Sequence, residues 1–348
     1  MPNASATHLT RRGILAAGGA LGLGAVLTAC GDDDAKSGGS GDRTAAAKSG
    51  PWSFKDDRGK TVELDKVPAN IVAFTGVAAA LWDYGVQVKG VFGPTTTKDG
   101  KPDVQAGDID VDKVTVLGNE WGKLNVEKYA ALAPELLVTT TFDTAGTLWS
   151  VPEESKDKIA KLAPSVAISV FDRQLTQPLQ RMWELAESLG ADMKAKKVTD
   201  AKAAFEKAAA RLRAAAKAKP EIRVLAGSAS AELFYVSGTN LSVDLEYFKA
   251  LGVNFVEPSE EAKKATGGWF ESLSWENVDK YPADVIIMDD RASTIQPADI
   301  TEGTWKQLPA VKAGQVIARS PEPILSYDKC TPLLDNLAEA IENAKKVG

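Results

Sequence analysis

The sequence predicts an α/β protein of two Rossmann-like lobes, each with a central parallel sheet, joined by a single long helix. In each half of the chain, short apolar runs alternate with helical patterns, which indicates a parallel sheet covered on both faces. Between the halves, residues 192–218 are rich in Ala, Lys, Glu and Arg and end before Pro220, as is typical of a helix. At 1.5 Å per residue this helix would span roughly 40 Å, so we expect a rigid strut between the lobes.

The first half is predicted to open with an edge hairpin and to continue as strand–helix repeats. Residues 52–64 alternate apolar and polar positions around Asp57-Arg58-Gly59, which favours a hairpin turn at that tripeptide. Glycine and proline separate the apolar runs that follow. Buried strands are predicted from residue 68 and at 86–92, 136–141 and 165–170, with helices at 77–84 and 125–132.

The second half repeats this plan after two connecting helices. A helix at 177–189, stopped by Gly190, precedes the strut. The N-terminal lobe is therefore assigned to residues 52–176, the connecting helices to 177–219 and the C-terminal lobe to 220–348. In the last of these, strands are predicted at 222–226, 284–288 and 315–318, and helices at 241–251, 275–280 and 332–345.

Residues 1–29 have the features of an export signal. Arg11 and Arg12 match the twin-arginine export pattern, and they precede an apolar run that is too short for a comfortable membrane span. The run ends in Leu-Thr-Ala before Cys30, which resembles the bacterial lipoprotein box, where the cysteine is acylated. Residues 30–51 have the composition of a flexible linker. We therefore expect a lipid anchor on the outer face of the cell membrane; a cleaved signal without lipid is the alternative.

Charge and composition exclude several classes of protein. The formal net charge is −6, and removal of residues 1–29 takes away two arginines and no acid, so the exported surface is unsuited to nucleic acid. The only histidine is His8, inside the signal, which excludes histidine-based catalysis and His-rich zinc sites in the exported protein. With Cys30 acylated, Cys330 has no disulfide partner. A binding protein without catalytic residues, resident metal or cofactor is the economical interpretation.

Four segments between residue 52 and the C-terminus carry a family pattern. They are Pro68-x-x-Ile-Val, NVEKYAALAPELLV from residue 125, LSWENVDKYPADVII from residue 273 and WKQLPAVKAGQV from residue 305. In this order, behind a lipoprotein signal, they resemble the ferric-siderophore and vitamin B12 substrate-binding proteins of ABC importers. The resemblance implies two α/β lobes joined by one long helix, the class III architecture, with the ligand held between the lobes.

The resemblance also implies partners. The ligand would be a ferric siderophore, the receiving partner an ABC permease dimer, and the protein itself a monomer without a cofactor. Two departures from the pattern concern specificity and leave the fold unaffected. The usual acidic residue of the first N-lobe helix is replaced within Val77-Ala-Ala-Ala-Leu, and residues 103–112 form an acidic insertion near the expected mouth of the cleft.

Aromatic side chains occupy matching places in the two lobes. Trp121 lies six residues before Glu127, and Trp269 and Phe270 lie seven and six residues before Glu276. In the resembled family the loops before these two helices line the cleft, so these three aromatics are the leading predicted ligand contacts. Flat, rigid rings suit a large chelate with hydrocarbon arms, because they bury apolar area at little cost in entropy.

Four further residues are predicted to contact the ligand. Phe142 follows the strand at 136–141 and resembles another family contact, and Trp149 belongs to the same loop, where anchoring the loop is the alternative role. Arg291 and Tyr327 lie where ligand loops emerge after strands, with a surface or capping role as the alternative.

The missing histidine also bears on the ligand. Direct iron ligation by the protein is disfavoured, so we expect the metal to arrive chelated, and aromatic contacts suit a neutral or cationic hydroxamate complex better than an anionic catecholate. A corrinoid or haem carrier of the same family is the first alternative, although a chain with few methionines and no usable histidine disfavours axial ligation of haem. An exported enzyme or cell-wall module on this scaffold is the alternative from another class.

Two glutamates are predicted to dock on the permease. Glu127 and Glu276 stand at the start of a helix in each lobe, and they match the two glutamates by which the resembled family engages arginine pockets of its permease dimer. The ordinary explanation is that an acid in the first helical turn is stabilised by the helix dipole.

Overall fold

The fold is described by a computed structural model that covers residues 50–348. Within this range it confirms the predicted fold class: two α/β regions, each around its own sheet, with long helices between them. The predicted signal at 1–29, the acylated Cys30 and nearly all of the linker lie outside the described residues. None of the helices between residues 50 and 348 has the length and apolarity needed to cross a bilayer.

The N-terminal lobe is a five-stranded parallel sheet preceded by the predicted hairpin. Its strand order is β5-β4-β3-β6-β7, and every neighbouring pair is parallel. The central strands β3 and β6 are buried at every position because both faces of the sheet are covered, as the prediction required. The elements are β1 (Trp52–Lys55), β2 (Thr61–Leu64), β3 (Ile71–Phe74), α1 (Thr75–Asp83), β4 (Gly90–Phe92), β5 (Thr115–Gly118), α2 (Val126–Ala131), β6 (Leu136–Thr141), α3 (Lys156–Leu162) and β7 (Ser165–Ser169).

Two connecting helices and the C-terminal lobe complete the described chain. The sheet of this lobe has the order β11-β9-β8-β12-β13, with the short β10 pairing on β8. The elements are α4 (Thr176–Ser188), α5 (Lys196–Ala218), β8 (Arg223–Ala229), β9 (Leu233–Ser237), α6 (Val243–Ala250), β10 (Asn254–Phe255), α7 (Glu260–Lys263), β11 (Phe270–Ser274), β12 (Val285–Asp289), α8 (Gly303–Gln307), α9 (Pro309–Lys312), β13 (Val316–Arg319) and α10 (Tyr327–Asn343).

The C-terminal sheet differs from the prediction because it is mixed. Strands β8, β12 and β13 are parallel, but β9 and β11 are antiparallel additions that the sequence analysis missed. A tight turn reverses the chain after β8, where Ser230 and Leu233 exchange hydrogen bonds of 2.9 and 3.1 Å. Only alternate residues of β9 are buried, which is the pattern of a strand covered on one face.

Three helix predictions change, one in helix type and two in where the helix begins. The segment Trp275–Lys280 is a 3-10 helix rather than an α-helix. The strut α5 begins at Lys196, so it is 23 residues long and spans roughly 35 Å. Helix α10 begins at Tyr327 rather than at residue 332, because the Ser326 hydroxyl caps it by accepting a hydrogen bond from the Lys329 amide at 3.2 Å.

The strut packs along α10 through aromatic rings and apolar side chains. The Phe205 ring lies 5.3 Å from the Tyr327 ring and stacks on Tyr247 at 5.9 Å. Phe205 and Leu212 are buried in this contact. Arg211 of α5 adds hydrogen-bonded ion pairs to α10, but these are exposed and contribute little next to the buried apolar area.

Candidate ligand-binding cleft

Loops at the carboxyl ends of the parallel strands of both lobes enclose a cleft. In open α/β sheets this edge is where ligands bind. A cavity of about 530 Å³ lies here, lined from the N-terminal lobe by the loop after β6 and from the C-terminal lobe by the ends of β8, β12 and β13. A smaller adjoining cavity shares Phe142, Trp269 and Glu322 with it and reaches the start of α1.

Three aromatic side chains, Phe142, Trp149 and Trp269, form what we term the aromatic wall. The Phe142 ring lies 4.5 Å from that of Trp149 and 6.3 Å from that of Trp269, so the wall joins the two lobes across the cleft. Phe270 lines the larger cavity as well, with its ring edge-on to Tyr235 at 5.1 Å.

Backbone hydrogen bonds hold these aromatics in place. The Trp149 amide donates to the Thr140 carbonyl at 2.9 Å, and the Thr139 hydroxyl donates to the Trp149 carbonyl at 2.8 Å, which folds the loop back onto β6. In the other lobe, the Gly238 amide donates to the Trp269 carbonyl at 2.8 Å. The aromatic residues are thus carried on loops that are tied to the strands.

Charged groups in the cleft are paired. Arg291 bonds to Asp289 at 2.6 Å and to Glu322 at 2.6 Å. Burial works against its charge, but these two carboxylates outweigh that effect and raise the pKa of Arg291. Arg319 forms a buried two-pronged pair with Asp244, at 2.7 and 2.9 Å. Among the described residues that line the cleft, no cationic side chain lacks a carboxylate partner.

The structure brings together most of the predicted contacts. Phe142, Trp149, Trp269, Phe270 and Arg291 all line the larger cavity. Their contact with a ligand stays a prediction, but their position is the one that such contact requires.

Trp121 and Tyr327 lie elsewhere. The Trp121 ring packs beside Arg291, with the guanidinium carbon 5.8 Å from the ring centre, and it does not line either of these cavities. Tyr327 is only 7% exposed, and its ring packs against Trp183 and Phe205 in the core. The ligand contact predicted for Tyr327 stays a prediction; α10 starts at this residue, and the ring faces the core and lines neither cleft cavity.

The sequence analysis assigned no role in the cleft to Glu322 or to Asp289. Both carboxylates lie at the carboxyl ends of parallel strands. Asp289 is the last residue of β12, and Glu322 lies three residues after β13. Their place at the carboxyl edge of the sheet was the available signal. Burial raises the pKa of Glu322, while hydrogen bonds and the Arg291 charge oppose that rise.

The two predicted docking glutamates are exposed at helix starts. Glu127 is in the first turn of α2, where Asn125 caps the helix by accepting from the Lys128 amide at 2.9 Å. Glu276 is in the first turn of the 3-10 helix Trp275–Lys280. Its own backbone amide and the Ser274 hydroxyl lower the pKa of Glu276. Neither residue lines the cavities described above.

Comparison with known proteins agrees with this architecture. Residues 71–323 match the family described as "Periplasmic binding protein". A crystal structure of DesE, a ferric-siderophore receptor protein from Streptomyces coelicolor, is 96% identical over 85% of this chain and 100% of its own, with a TM-score of 0.85.

More distant structures share the fold. A siderophore periplasmic binding protein from the fuscachelin gene cluster of Thermobifida fusca is 21% identical over 79% of this chain and 96% of its own, with a TM-score of 0.56. The siderophore binding protein BauB is 17% identical over 84% and 98%, with a TM-score of 0.61. No curated protein matches the chain. The family match confirms a binding protein rather than an enzyme, and the chain belongs to the periplasmic binding protein family.

Proposed function

We propose that this protein captures a ferric siderophore in the cleft and delivers it to an ABC importer. The observation that carries the proposal is the aromatic wall, which places Phe142 and Trp269 from opposite lobes 6.3 Å apart at a cavity of about 530 Å³. This volume lies within the usual range of a small-molecule pocket, so the cavity has room for a chelate. The 96% identity to a ferric-siderophore receptor supports the same ligand class.

We propose further that the chelate is of the hydroxamate type. The charged residues that line the larger cavity are three acids, Asp143, Asp289 and Glu322, and two bases, Arg291 and Arg319. Both bases are held by carboxylates, so this lining opposes an anionic catecholate, whose charge would need unpaired cations in a partly buried site. A neutral or cationic hydroxamate complex meets no such penalty.

A titration with several chelates tests both statements. A ferric trihydroxamate is expected to quench the tryptophan emission of the purified protein at sub-micromolar concentration, because the coloured complex would lie against Trp149 and Trp269. Ferric salt alone should leave the emission unchanged. Tighter binding of a ferric tricatecholate would contradict the hydroxamate assignment. Tighter binding of haem or a corrinoid would contradict the siderophore assignment, and chemical turnover of the bound chelate would favour an exported enzyme.

We also propose that the receptor is anchored by lipid on Cys30 at the outer face of the cell membrane. The support is the Leu-Thr-Ala-Cys sequence behind the predicted twin-arginine signal. Stable attachment needs two or more acyl chains, since a single chain binds a bilayer only marginally.

The Cys30→Ser protein is therefore expected to move from the membrane fraction to the soluble fraction, with unchanged affinity for the ferric trihydroxamate. Cell fractionation and blotting measure this, with Cys330→Ser as the matched control. Because Cys330 is fully buried, its replacement should not alter the fractionation. A Cys30→Ser protein that stays membrane-bound would exclude the lipid anchor.

A further inference from the structure

Glu322 is a carboxylate with three hydrogen-bond donors at the centre of the cleft. Its Oε2 accepts from Gln105 Nε2 at 3.2 Å and from Trp149 Nε1 at 3.1 Å. Its Oε1 accepts from Arg291 Nη1 at 2.6 Å. The side chain is only 11% exposed, so these donors replace the water that a carboxylate otherwise holds.

The donors reach Glu322 from both lobes. Gln105 and Trp149 belong to the N-terminal lobe, whereas Arg291 follows β12 in the C-terminal lobe. Glu322 itself lies on the segment that leads from β13 to α10. It also borders both cleft cavities and a third cavity of about 280 Å³ that Arg291 lines as well. One carboxylate therefore fixes groups of both lobes at the point where the cavities meet.

The acidic insertion at 103–112 supplies one of these donors. Asp103 caps a short 3-10 helix by accepting from the Gln105 amide at 3.0 Å, and this places the Gln105 side chain, which is 3% exposed, against Glu322. Further along, Lys329 of α10 bonds to Asp108 at 2.7 Å. The acidic insertion thus contacts both the segment that leads from β13 to α10 and the start of α10.

We propose that Glu322 is a positioning residue for the ligand, acting through Trp149 and Arg291. The inference rests on the proposed function. The indole nitrogen is the only polar group of the Trp149 side chain, and its ring contacts Phe142 in the aromatic wall. Without the carboxylate, the indole loses its hydrogen-bond acceptor and the ring is held less firmly. Arg291 then keeps only Asp289, and the cleft loses one of the three carboxylates that oppose anionic chelates.

The test compares Glu322→Gln with wild type in two measurements. Without ligand, the Trp149 indole N–H, assigned in NMR spectra with Trp149→Phe, is expected to shift and to exchange faster with solvent in Glu322→Gln. With ligand, the variant is expected to bind a ferric trihydroxamate about tenfold more weakly, the effect of one hydrogen bond to a charged group. Its preference for trihydroxamate over tricatecholate should fall as well, which a loss of stability alone would not cause.

Glu135→Gln is the matched control. Glu135 is also a partly buried carboxylate with several donors, but it bonds to the Ala69 and Asn70 amides at the opposite end of the N-terminal sheet. It should alter neither the Trp149 signal nor ligand preference. An unchanged indole signal in Glu322→Gln, or a changed signal with unchanged affinity and preference, would overturn the proposal. If wild type binds no chelate, the proposed function fails while the ligand-free measurement still tests the contact.

A double-mutant cycle provides a second test. Trp149→Phe removes the indole donor, so its loss of affinity and that of Glu322→Gln should overlap, and the double variant should bind only slightly more weakly than the worse single variant. Fully additive losses of affinity would show that Glu322 and Trp149 act independently on the ligand, which contradicts the proposal. Should Glu322→Gln fail to fold, Trp149→Phe alone remains informative, because unchanged affinity in that variant would refute the role of this contact.

Discussion

Cells that carry the Glu127→Ala, Glu276→Ala protein are expected to lose uptake of the ferric chelate, while the purified variant binds the chelate as tightly as wild type. Both carboxylates are exposed at helix starts, one in each lobe, and neither lines the cleft. The strut α5 between the lobes is a single helix of 23 residues, so the distance between the two carboxylates should be nearly constant. A constant distance suits simultaneous contact with two permease subunits.

The alternative role is local, because an acid in the first helical turn is stabilised by about 0.3–1 kcal/mol through the helix dipole. Uptake of radiolabelled iron, thermal melting and a binding titration separate the two roles. The matched control is Glu63→Ala with Glu339→Ala, which removes two exposed carboxylates that are not at a helix start. Normal uptake by the Glu127, Glu276 variant, or equal loss in the control, would defeat the docking assignment.

Replacement of Trp269 by alanine is expected to weaken binding of a ferric trihydroxamate by about 1–3 kcal/mol, the range of an aromatic side chain central to an interface. Trp269 borders both cleft cavities and faces Phe142 of the other lobe. Its removal therefore takes away contact area and the closure of the aromatic wall. Trp121→Ala should cost less, because Trp121 acts only through Arg291.

Fluorescence titration or calorimetry measures this loss. Trp82→Phe serves as the control, since Trp82 is a half-buried residue of α1 that lines neither cavity. Equal affinities of Trp269→Ala and wild type would remove the aromatic wall from the ligand site. A larger loss in Trp121→Ala than in Trp269→Ala would place the ligand on the other side of Arg291.

Local sequence patterns predicted much of the fold, because buried positions are apolar and recur with the period of a helix or a strand. Strand β6 was predicted to the residue, since six consecutive buried positions are bounded by Pro134 and a polar loop. The mixed C-terminal sheet was not, because β9 is only five residues long and its neighbour β11 lies more than thirty residues further along the chain. The antiparallel pairing of β9 with β11 over such a distance leaves no local signal.

The site divides in the same way. Aromatic residues in loops after strands were found because the family pattern marks those loops, and five of the predicted contacts do line the cleft. The position of the Tyr327 ring depends on one helical cap, Ser326, which sets where α10 begins and which the sequence analysis did not identify. Trp121 packs against Arg291 and lines neither cleft cavity, a placement that only tertiary packing decides.

The sequence by itself determined the two-lobe α/β class and the strut, because each follows from periodicity or composition within a few tens of residues. It indicated the aromatic character of the cleft through the resemblance to a known family. Only the tertiary structure decided the role of Glu322. Its donors Gln105 and Trp149 are 217 and 173 positions away in the chain, so no local sequence pattern could indicate that they contact Glu322. The balance of charge in the cleft was decided in the same way, since it depends on which carboxylate each buried arginine reaches.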